Sequence, residues 1–352
     1  MGSVSGKSTV SSYVPYQRRA HHAGSWYSNE ISVLNDELQE NLDQAAATIN
    51  SSSTATTTTT TTSSSPLSRG TLRGVICPHA GYSYSGPTAA YSYKALENEL
   101  IRRHNSNSGA TTTTKTTTIV VLHPSHHVYL ENCAVSGATV LHTPVGDLPV
   151  DETLRQEILQ TQLFSVMKQS DDEREHSGEM QYPYLAKIVP TGMKVQVLPI
   201  MCGNLTHAKE ALFGRTLSDI LQRPTVLTVV STDFCHWGRR FSYQPTDQQG
   251  KIPIHEYIRE MDHRGMDVIA HDWQRPGAFA EYLRETRNTI CGRHAIAVWL
   301  HALAEAYPPA TSIVPCISFI KYEQSSAAKS MHDSSVSYAA ALCTLETPTE
   351  TG

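Results

Sequence analysis

Long apolar runs are missing from this sequence. No stretch reaches the roughly eighteen apolar residues that a membrane-spanning helix needs, so we expect no membrane insertion. The first twenty residues are polar and lack the apolar segment of a secretory signal. An excess of basic residues is missing too, because 28 Lys and Arg stand against 33 Asp and Glu for a net charge of −5. That balance makes nucleic acid an unexpected partner.

Paired cysteines are also absent. The seven cysteines are odd in number and scattered, and none forms a CxxC pair. This usage is typical of a reducing compartment and argues against a disulfide framework, so we expect a cytosolic protein. Free cysteines usually pack as small apolar residues. On that basis we expect six of them to be core residues: Cys77, Cys133, Cys202, Cys235, Cys316 and Cys343.

Two segments of low complexity interrupt the chain, at about 50–66 and 105–117, and both are dominated by Thr and Ser. Such segments bury too little apolar surface to order themselves, so we expect disordered surface loops. Without them the surrounding elements form one compact series. We therefore expect a single domain over 18–346, with disordered termini at 1–17 and 347–352.

Short Val/Ile-rich runs alternate with helical patterns along that domain. The apolar runs predict strands at 73–77, 118–122, 195–200, 226–231, 312–321 and 336–342. The helical spacing predicts helices at 31–49, 87–103, 151–162, 206–222, 252–270, 278–287 and 291–306. This alternation indicates a sheet covered on both faces. The predicted fold class is α/β, a three-layer αβα sandwich with a largely parallel or mixed central sheet.

Histidines follow three of the predicted strands. His79 comes directly after the first strand and Pro78, the second strand runs into Pro124-Ser125-His126-His127, and the third runs into Asp233-Phe234-Cys235-His236. Ligands bind beyond the carboxyl ends of parallel strands, so these side chains are expected to share one pocket. Imidazole is a common ligand of Zn, Cu and Fe. His79 and one of His126 and His127 are the preferred ligand pair, although a single histidine there is often only structural.

A cysteine and an acidic residue extend this candidate site. Cys291 opens the predicted helix 291–306, where the helix dipole, Arg293 and His294 would favour the metal-binding thiolate. The alternative is that Cys291 is a small core residue. Asp233 and His236 are spaced i, i+3, as expected of a general acid/base pair in which Asp233 orients the imidazole. Alternatively, Asp233 only caps the turn.

Two further histidine-containing segments give weaker signals. His176-Ser177-Gly178-Glu179 either supports the site from behind or is a solvated segment after an acidic run. The segment 21–27, His-His-Ala-Gly-Ser-Trp-Tyr, precedes the first predicted helix and is a candidate for one wall of the cleft.

Taken together, six short motifs resemble the Memo family. In chain order they are His22-Ala23-Gly24-Ser25-Trp26-Tyr27, Pro78-His79-Ala80-Gly81-Tyr82, Pro124-Ser125-His126-His127, Asp233-Phe234-Cys235-His236-Trp237-Gly238, Asn288-Thr289-Ile290-Cys291-Gly292-Arg293-His294 and Asp333-Ser334-Ser335-Val336-Ser337-Tyr338-Ala339. They span nearly the whole domain. The chain departs from the family pattern at His123, where the family usually has glycine, at Gly178, where it has an apolar residue, and in the Thr-rich inserts.

This resemblance implies a fold like that of the class III extradiol ring-cleaving dioxygenases. It also implies a metal site with His79, His126 and Cys291 as ligands and with Asp233 and His236 lining the same pocket. Family members are described as cytosolic and nuclear proteins of growth-factor-receptor signalling, cell motility and cytoskeletal control. They are also linked to copper or iron binding and to redox control.

Three functions are consistent with these residues. The first is a copper- or iron-binding protein with a redox role in signalling. The second is a non-catalytic adaptor whose pocket accepts a peptide of a signalling protein, such as a phosphotyrosine peptide, with His79, His126 and His236 as donors. The third is a non-haem iron dioxygenase, which we consider least favoured because a thiolate replaces the usual carboxylate ligand and is itself oxidised by O₂ chemistry. Two imidazoles and a thiolate suit Cu(I), Fe(II) and Zn(II) alike.

Overall fold

A computed structural model of the chain describes residues 13–54, 70–107, 115–309 and 311–347. Most of the segments expected to be disordered at the two termini and in the two inserts lie outside these ranges. Where the described residues reach into them, they include parts of regular elements. The first strand begins at Tyr16, and two helices extend to Thr54 and Asn107. Ser and Thr cost a helix less than about 1 kcal/mol each, so a helix that is already packed can continue through them.

Twelve strands and ten α-helices make up the described part of the chain. The strands are β1 (Tyr16–Arg18), β2 (Thr71–Cys77), β3 (Thr117–Pro124), β4 (Cys133–Val135), β5 (Ala138–Leu141), β6 (Leu148–Pro149), β7 (Ser165–Val166), β8 (Val195–Cys202), β9 (Val226–Ser231), β10 (His236–Gly238), β11 (Val314–Gln324) and β12 (Ser334–Glu346). The helices are α1 (Ile31–Thr54), α2 (Tyr82–Asn107), α3 (Glu152–Gln160), α4 (Gln169–Arg174), α5 (His176–Glu179), α6 (Tyr182–Ile188), α7 (His207–Gln222), α8 (Ile254–His271), α9 (Gly277–Thr286) and α10 (Arg293–Ala306).

The centre of the molecule is a mixed sheet. Its middle consists of four parallel strands in the order β2-β9-β3-β8, all of them predicted from their apolar runs. β12 extends this core antiparallel to β2 and also pairs with β10 and β11, while β4 lies antiparallel to β8 on the other side. A small separate sheet joins β1, β5 and β6. The prediction of a largely parallel or mixed sheet is confirmed.

Helices cover both faces of this sheet. Alternate residues of a strand point to opposite faces, and β2 illustrates the two sides. A side chain at Gly74 would meet the Trp299 ring of α10, whereas the Cys77 thiol contacts Ser92 and Tyr93 of α2. α7 packs beside α10 on one face, and α1 and α6 pack beside α2 on the other. The predicted three-layer arrangement is therefore confirmed.

Among the predicted helix starts that differ from the structure, those of α2 and α10 concern the candidate site. α2 begins at Tyr82 rather than at Pro87, because the Tyr82 amide donates to the Trp26 carbonyl and the first turn forms earlier. α10 begins at Arg293, so Cys291 lies just before the helix and not in its first turn. Of the six cysteines expected in the core, Cys316 is only half-buried and the other five are buried. Among the described residues, no helix is both long enough and apolar enough to cross a bilayer.

Candidate metal centre

Parallel register brings the ends of β2 and β9 side by side. Cys77 pairs with Ser231 in the ladder, so His79 and Asp233, each two residues further on, emerge next to one another. The His79 amide donates a 2.8 Å hydrogen bond to Asp233 Oδ1. β3 delivers His126 to the same edge, with its ring centroid 5.3 Å from that of His79. The predicted convergence at the strand ends is present.

The His79 ring is 2% exposed, and its protonation pattern follows from its neighbours. Ser231 Oγ donates to the Ser177 carbonyl at 2.7 Å, so its hydrogen is already used. The contact of 2.8 Å between His79 Nδ1 and Ser231 Oγ therefore has Nδ1–H as donor. The lone pair then lies on Nε2, which is 3.1 Å from Cys291 Sγ. Burial, followed by the neighbouring imidazoles of His126 and His176, lowers the pKa of His79 well below its usual range. This neutral form is the one that binds metals.

His126 is held by a buried carboxylate. Its amide and its Nδ1 both donate to Glu175, at 2.6 and 2.8 Å, while 26% of the His126 side chain stays exposed. A carboxylate on Nδ1 orients an imidazole so that Nε2 faces a metal. Burial disfavours the charged ring, but contacts with Cys291 and Glu175 outweigh burial and raise the His126 pKa to about 10. Burial alone would raise the pKa of Glu175, but His126 and His176 hold it well below its usual range.

Cys291 reaches the cleft from the segment before α10. Gly292 makes this possible, because a side chain there would lie 2.4 Å from Thr232 Cβ and 2.5 Å from the Ser231 carbonyl oxygen. The Asp233 amide donates to Cys291 Sγ at 3.2 Å. Burial raises the pKa of the Cys291 thiol, and the His126 contact opposes this only in part.

The predicted cause of thiolate stabilisation is wrong. Arg293 Nη1 donates to the Ile290 carbonyl, and His294 Nδ1 lies 2.7 Å from Glu210 Oε1, so neither side chain is directed at the sulfur. Cys291 also precedes the helix whose dipole was expected to act on it. A thiolate at this half-buried position needs a cation inside the cleft, either protonated His126 or a metal ion.

His176 is the residue that sequence reasoning placed too far from the centre. Its ring lies between Trp26 and His126, with centroids at 4.3 and 4.5 Å. Burial and the His126 charge lower its pKa to about 3. The motif around it was noted, but only as a support. Glu175 and Ser231 were missed altogether, because no local pattern connects either to the distant histidine that it orients.

Two groups of potential ligand atoms share His79. The ligand atoms of His79, His126 and His176 lie within 4.8 Å of one another, and so do those of His79, Asp233 and Cys291. The predicted ligand set, His79, His126 and Cys291, draws on both groups. Because Nδ1 of both histidines is engaged by the protein, their Nε2 atoms are left for an ion. The donor set present therefore fits a copper, iron or zinc ion.

Asp233 and His236 line the cleft but do not form a pair. The Asp233 carboxylate accepts from the backbone of His79, whereas His236 Nδ1 donates to the carbonyls of Phe234 and Thr289 at 3.0 and 3.1 Å. Asp233 therefore does not orient His236. Burial raises the Asp233 pKa to about 7 against the backbone hydrogen bonds, so this carboxyl exchanges a proton near neutral pH.

The cleft has a volume of about 760 Å³, and Ser25 and Trp26 form one wall, as expected for the segment 21–27. This wall is tied down by Glu179, which accepts from the His22 amide and the Tyr27 hydroxyl, both at 2.7 Å. The lining of the cleft also includes Tyr84, His236, Arg240, Phe241, Ser325 and Tyr338.

The two unusual residues, His123 and Gly178, lie against each other in the structure. His123 lies within β3, is 1% exposed and does not line the cleft. A side chain at Gly178 would lie 3.1 Å from His123 Nε2 and 2.8 Å from the Tyr182 hydroxyl. The His123 imidazole therefore occupies the space that a side chain at position 178 would need.

Comparison with known proteins agrees with the motifs. A family model described as Memo-like protein matches residues 18–342. Protein memo-1 homolog of Caenorhabditis elegans is 36% identical over 96% of this chain and 85% of its own. Protein MEMO1 of Rattus norvegicus is 38% identical over 93% of this chain and 97% of its own, and the Homo sapiens protein of that name is 37% identical over the same shares. A solved structure of an uncharacterized Escherichia coli K12 protein has 13% identity and a TM-score of 0.39, covering 76% of this chain and 98% of that one.

Proposed function

The chain belongs to the Memo family, and on that premise we propose that its cleft binds copper or iron through His79, His126 and Cys291. The ion serves redox control in signalling, cell motility and cytoskeletal regulation, in the cytoplasm and nucleus. The observation that carries the proposal is the contact of 3.1 Å between His79 Nε2 and Cys291 Sγ, with Nδ1 of the same ring held by Ser231. It places a nitrogen lone pair and a sulfur together at an open cleft.

The residues around this pair have separate roles. Copper or iron, when bound, supplies one-electron redox chemistry. Ser231 and Glu175 hold the two imidazoles in the binding orientation. Asp233 holds or releases a proton near neutral pH, and His236 offers Nε2 to a ligand in the cleft. Trp26 and the other aromatic side chains that line the cleft exclude water from part of it.

Metal content tests the assignment. The full-length protein is purified without added metal, and its Cu and Fe are measured by mass spectrometry beside those of Cys291→Ser. Cys316→Ser is the matched control, because Cys316 is half-buried and lies outside the cleft. We expect Cys291→Ser to lose the bound metal and the control to keep it. Equal retention in Cys291→Ser and wild type would remove Cys291 from the ligand set.

A phosphopeptide adaptor is a second candidate function, and one observation favours it. Arg240 lines the cleft and is exposed, and an arginine beside several imidazoles suits a phosphate group. This alternative predicts that a phosphotyrosine peptide binds the metal-free and metal-loaded protein equally and that Arg240→Ala weakens binding. Arg239→Ala is the control, since this neighbour is exposed but does not line the cleft. A peptide that binds only the metal-loaded form would count against the adaptor.

Ring cleavage by a class III extradiol dioxygenase-like fold is the least favoured candidate. The cleft combines imidazoles with a cysteine, and a thiol is oxidised by the O₂ chemistry that ring cleavage requires. We expect no O₂ uptake when the protein is loaded with Fe(II) under anaerobic conditions, mixed with a panel of catechols and then aerated. Catechol-dependent uptake would restore this candidate.

A further inference from the structure

A second group of histidines lies outside the cleft, between α7 and α10. His207 and Glu210 are spaced i, i+3 in the first turn of α7, so they share one helix face. His294 and His301 are spaced i, i+7 on α10, which again places them on one face. We call His207, Glu210 and His301 the helix cluster.

Gly214 allows the two helix faces to come this close. A side chain at this position of α7 would lie 2.4 Å from His301 Cβ and 2.8 Å from the Val298 carbonyl oxygen of α10. The glycine follows Glu210 by four residues and therefore lies on the same face of α7. The close contact carries the His301 side chain to the first turn of α7.

The helix cluster has the geometry of a half-formed metal site. One ligand atom from each of its three residues lies within 4.8 Å of the other two. His207 Nδ1 is 3.5 Å from Glu210 Oε2, and the ring centroids of His207 and His301 are 5.1 Å apart. Rotation of the His207 side chain, which is 55% exposed, would bring its ring nitrogen to coordination distance of an ion held by the other two residues.

An unpartnered nitrogen belongs to this cluster. His301 Nε2 is buried and has no hydrogen-bond partner within the described part of the chain. Buried polar atoms are nearly always paired, so such an atom calls for a partner.

The carboxylate of the cluster is already oriented. Glu210 is 7% exposed, and its Oε1 is 2.7 Å from His294 Nδ1 while Oε2 faces His207. His294 Nε2 is in turn 3.2 Å from Asn204 Oδ1. Carboxylates that bind metal ions are typically held by a hydrogen bond from a neighbour, as His294 holds Glu210 here.

We propose that His207, Glu210 and His301 bind a divalent transition-metal ion of the Zn²⁺ class. Two imidazoles and one carboxylate are ligands that Zn²⁺ accepts, with water completing its coordination. This site is separate from the cleft, and the proposal does not depend on the function proposed for the cleft. The ion would link the first turn of α7 to His301, in the third turn of α10.

Zinc titration of the full-length protein tests this site. Isothermal calorimetry with Zn²⁺ alone is run on wild type, His207→Ala, Cys291→Ser and the matched control His271→Ala. His271 is an exposed histidine of α8 that does not belong to the helix cluster. Its Nδ1 donates to a carbonyl of its own helix. We expect His207→Ala to weaken one Zn²⁺ site by at least about 10-fold, since even supporting contacts are worth about 10–100-fold. His271→Ala should bind as wild type does.

The cleft and the helix cluster are separated by the same experiment. Cys291→Ser should leave unchanged the site that His207→Ala weakens, and the double variant Cys291→Ser/His207→Ala should show that site weakened to the same extent. Because His207 is exposed, we expect His207→Ala to keep the fold, and circular dichroism checks this. His301→Gln provides a second variant. Zn²⁺ binding that is unchanged in number and affinity in both His207→Ala and His301→Gln would overturn the proposal.

Discussion

The cleft and the helix cluster use the same residue type in opposite ways. In the cleft, His79 is buried and both His79 and His126 have their Nδ1 atoms engaged by Ser231 and Glu175. In the helix cluster, His207 is largely exposed, and only Glu210 is oriented, by His294. The first site is assembled by the fold before any ligand arrives, whereas the second has to close around one. The geometry of the cleft therefore depends on the surrounding protein far more than the geometry of the helix cluster does.

That dependence is visible in the charges behind the cleft wall. The Arg18 guanidinium lies between Asp172 and Glu179, at 3.0 and 2.6 Å, and all three side chains are 1% exposed. Glu179 in turn holds the segment that carries Trp26, through the His22 amide. Such charges are stable in the interior only while each keeps its partner. The largest expected effects are found here.

Replacement of Arg18 by alanine should have the largest effect on folding. It leaves the carboxylates of Asp172 and Glu179 buried without their cation, which typically costs about 3–5 kcal/mol in the free energy of unfolding. Urea unfolding measures the change. Arg19→Ala is the control, because the Arg19 side chain is 73% exposed, and we expect a smaller cost than that of Arg18→Ala.

The helix cluster supplies the counterpart to this measurement. His207→Ala in metal-free protein should change the free energy of unfolding by no more than about 0.5 kcal/mol, as is usual for exposed positions. If Arg18→Ala cost as little as His207→Ala, the contrast between a preassembled cleft and an open cluster would not stand.

Acid should have the next largest effect, by weakening the cleft wall. Burial tends to raise the pKa of Glu179, but Arg18 and His22 outweigh it and lower the pKa from 4.5 to about 2. A carboxyl with a lowered folded-state pKa stabilises the fold fully above pH 4.5 and loses that contribution as the pH falls towards 2. The shift corresponds to about 3 kcal/mol. Urea unfolding at stepwise lower pH measures it, and Glu179→Gln should lack this part of the dependence. An unchanged pH profile in that variant would contradict the assignment.

A smaller effect is expected of Glu175→Gln, measured as metal affinity. Its carboxylate orients His126 without being a ligand in the proposed set, and loss of such a supporting contact lowers metal affinity by about 10–100-fold. Competition with a chelator measures the affinity for copper and iron. Glu173→Gln is the matched control, since that carboxylate pairs with Arg19 outside the cleft. Equal affinity of the two variants would mean that the charge of Glu175 does not support His126.

Much of the fold was predictable because its strongest signals are local. The apolar runs of β2, β3, β8 and β9 are continuous in sequence, and β2, β3 and β9 end next to residues that line or support the cleft. The rule that ligands bind beyond parallel strand ends then placed His79, His126 and Asp233 together. The weaker boundaries were those decided by neighbours, such as the start of α2, which depends on the Trp26 carbonyl.

The supporting residues of the cleft were beyond such reasoning. Glu175 lies 49 residues from His126, and Ser231 lies 152 residues from His79, so no spacing connects them. The sequence also suggested a helix dipole acting on Cys291, whereas the structure starts that helix two residues later and buries the thiol. His207-x-x-Glu210 was readable as a helical pair, but its partner His301 is supplied by another helix.

By itself, then, the sequence determined the sheet, its edge and the types of ligand gathered there, because hydrophobic periodicity and strand polarity are properties of short segments. Only the tertiary structure decided which nitrogen of each imidazole faces the cleft, which carboxyl keeps its proton, and that α7 meets α10 at Gly214. These outcomes depend on burial and on hydrogen bonds between residues far apart in the chain, and both exist only once the layers have packed.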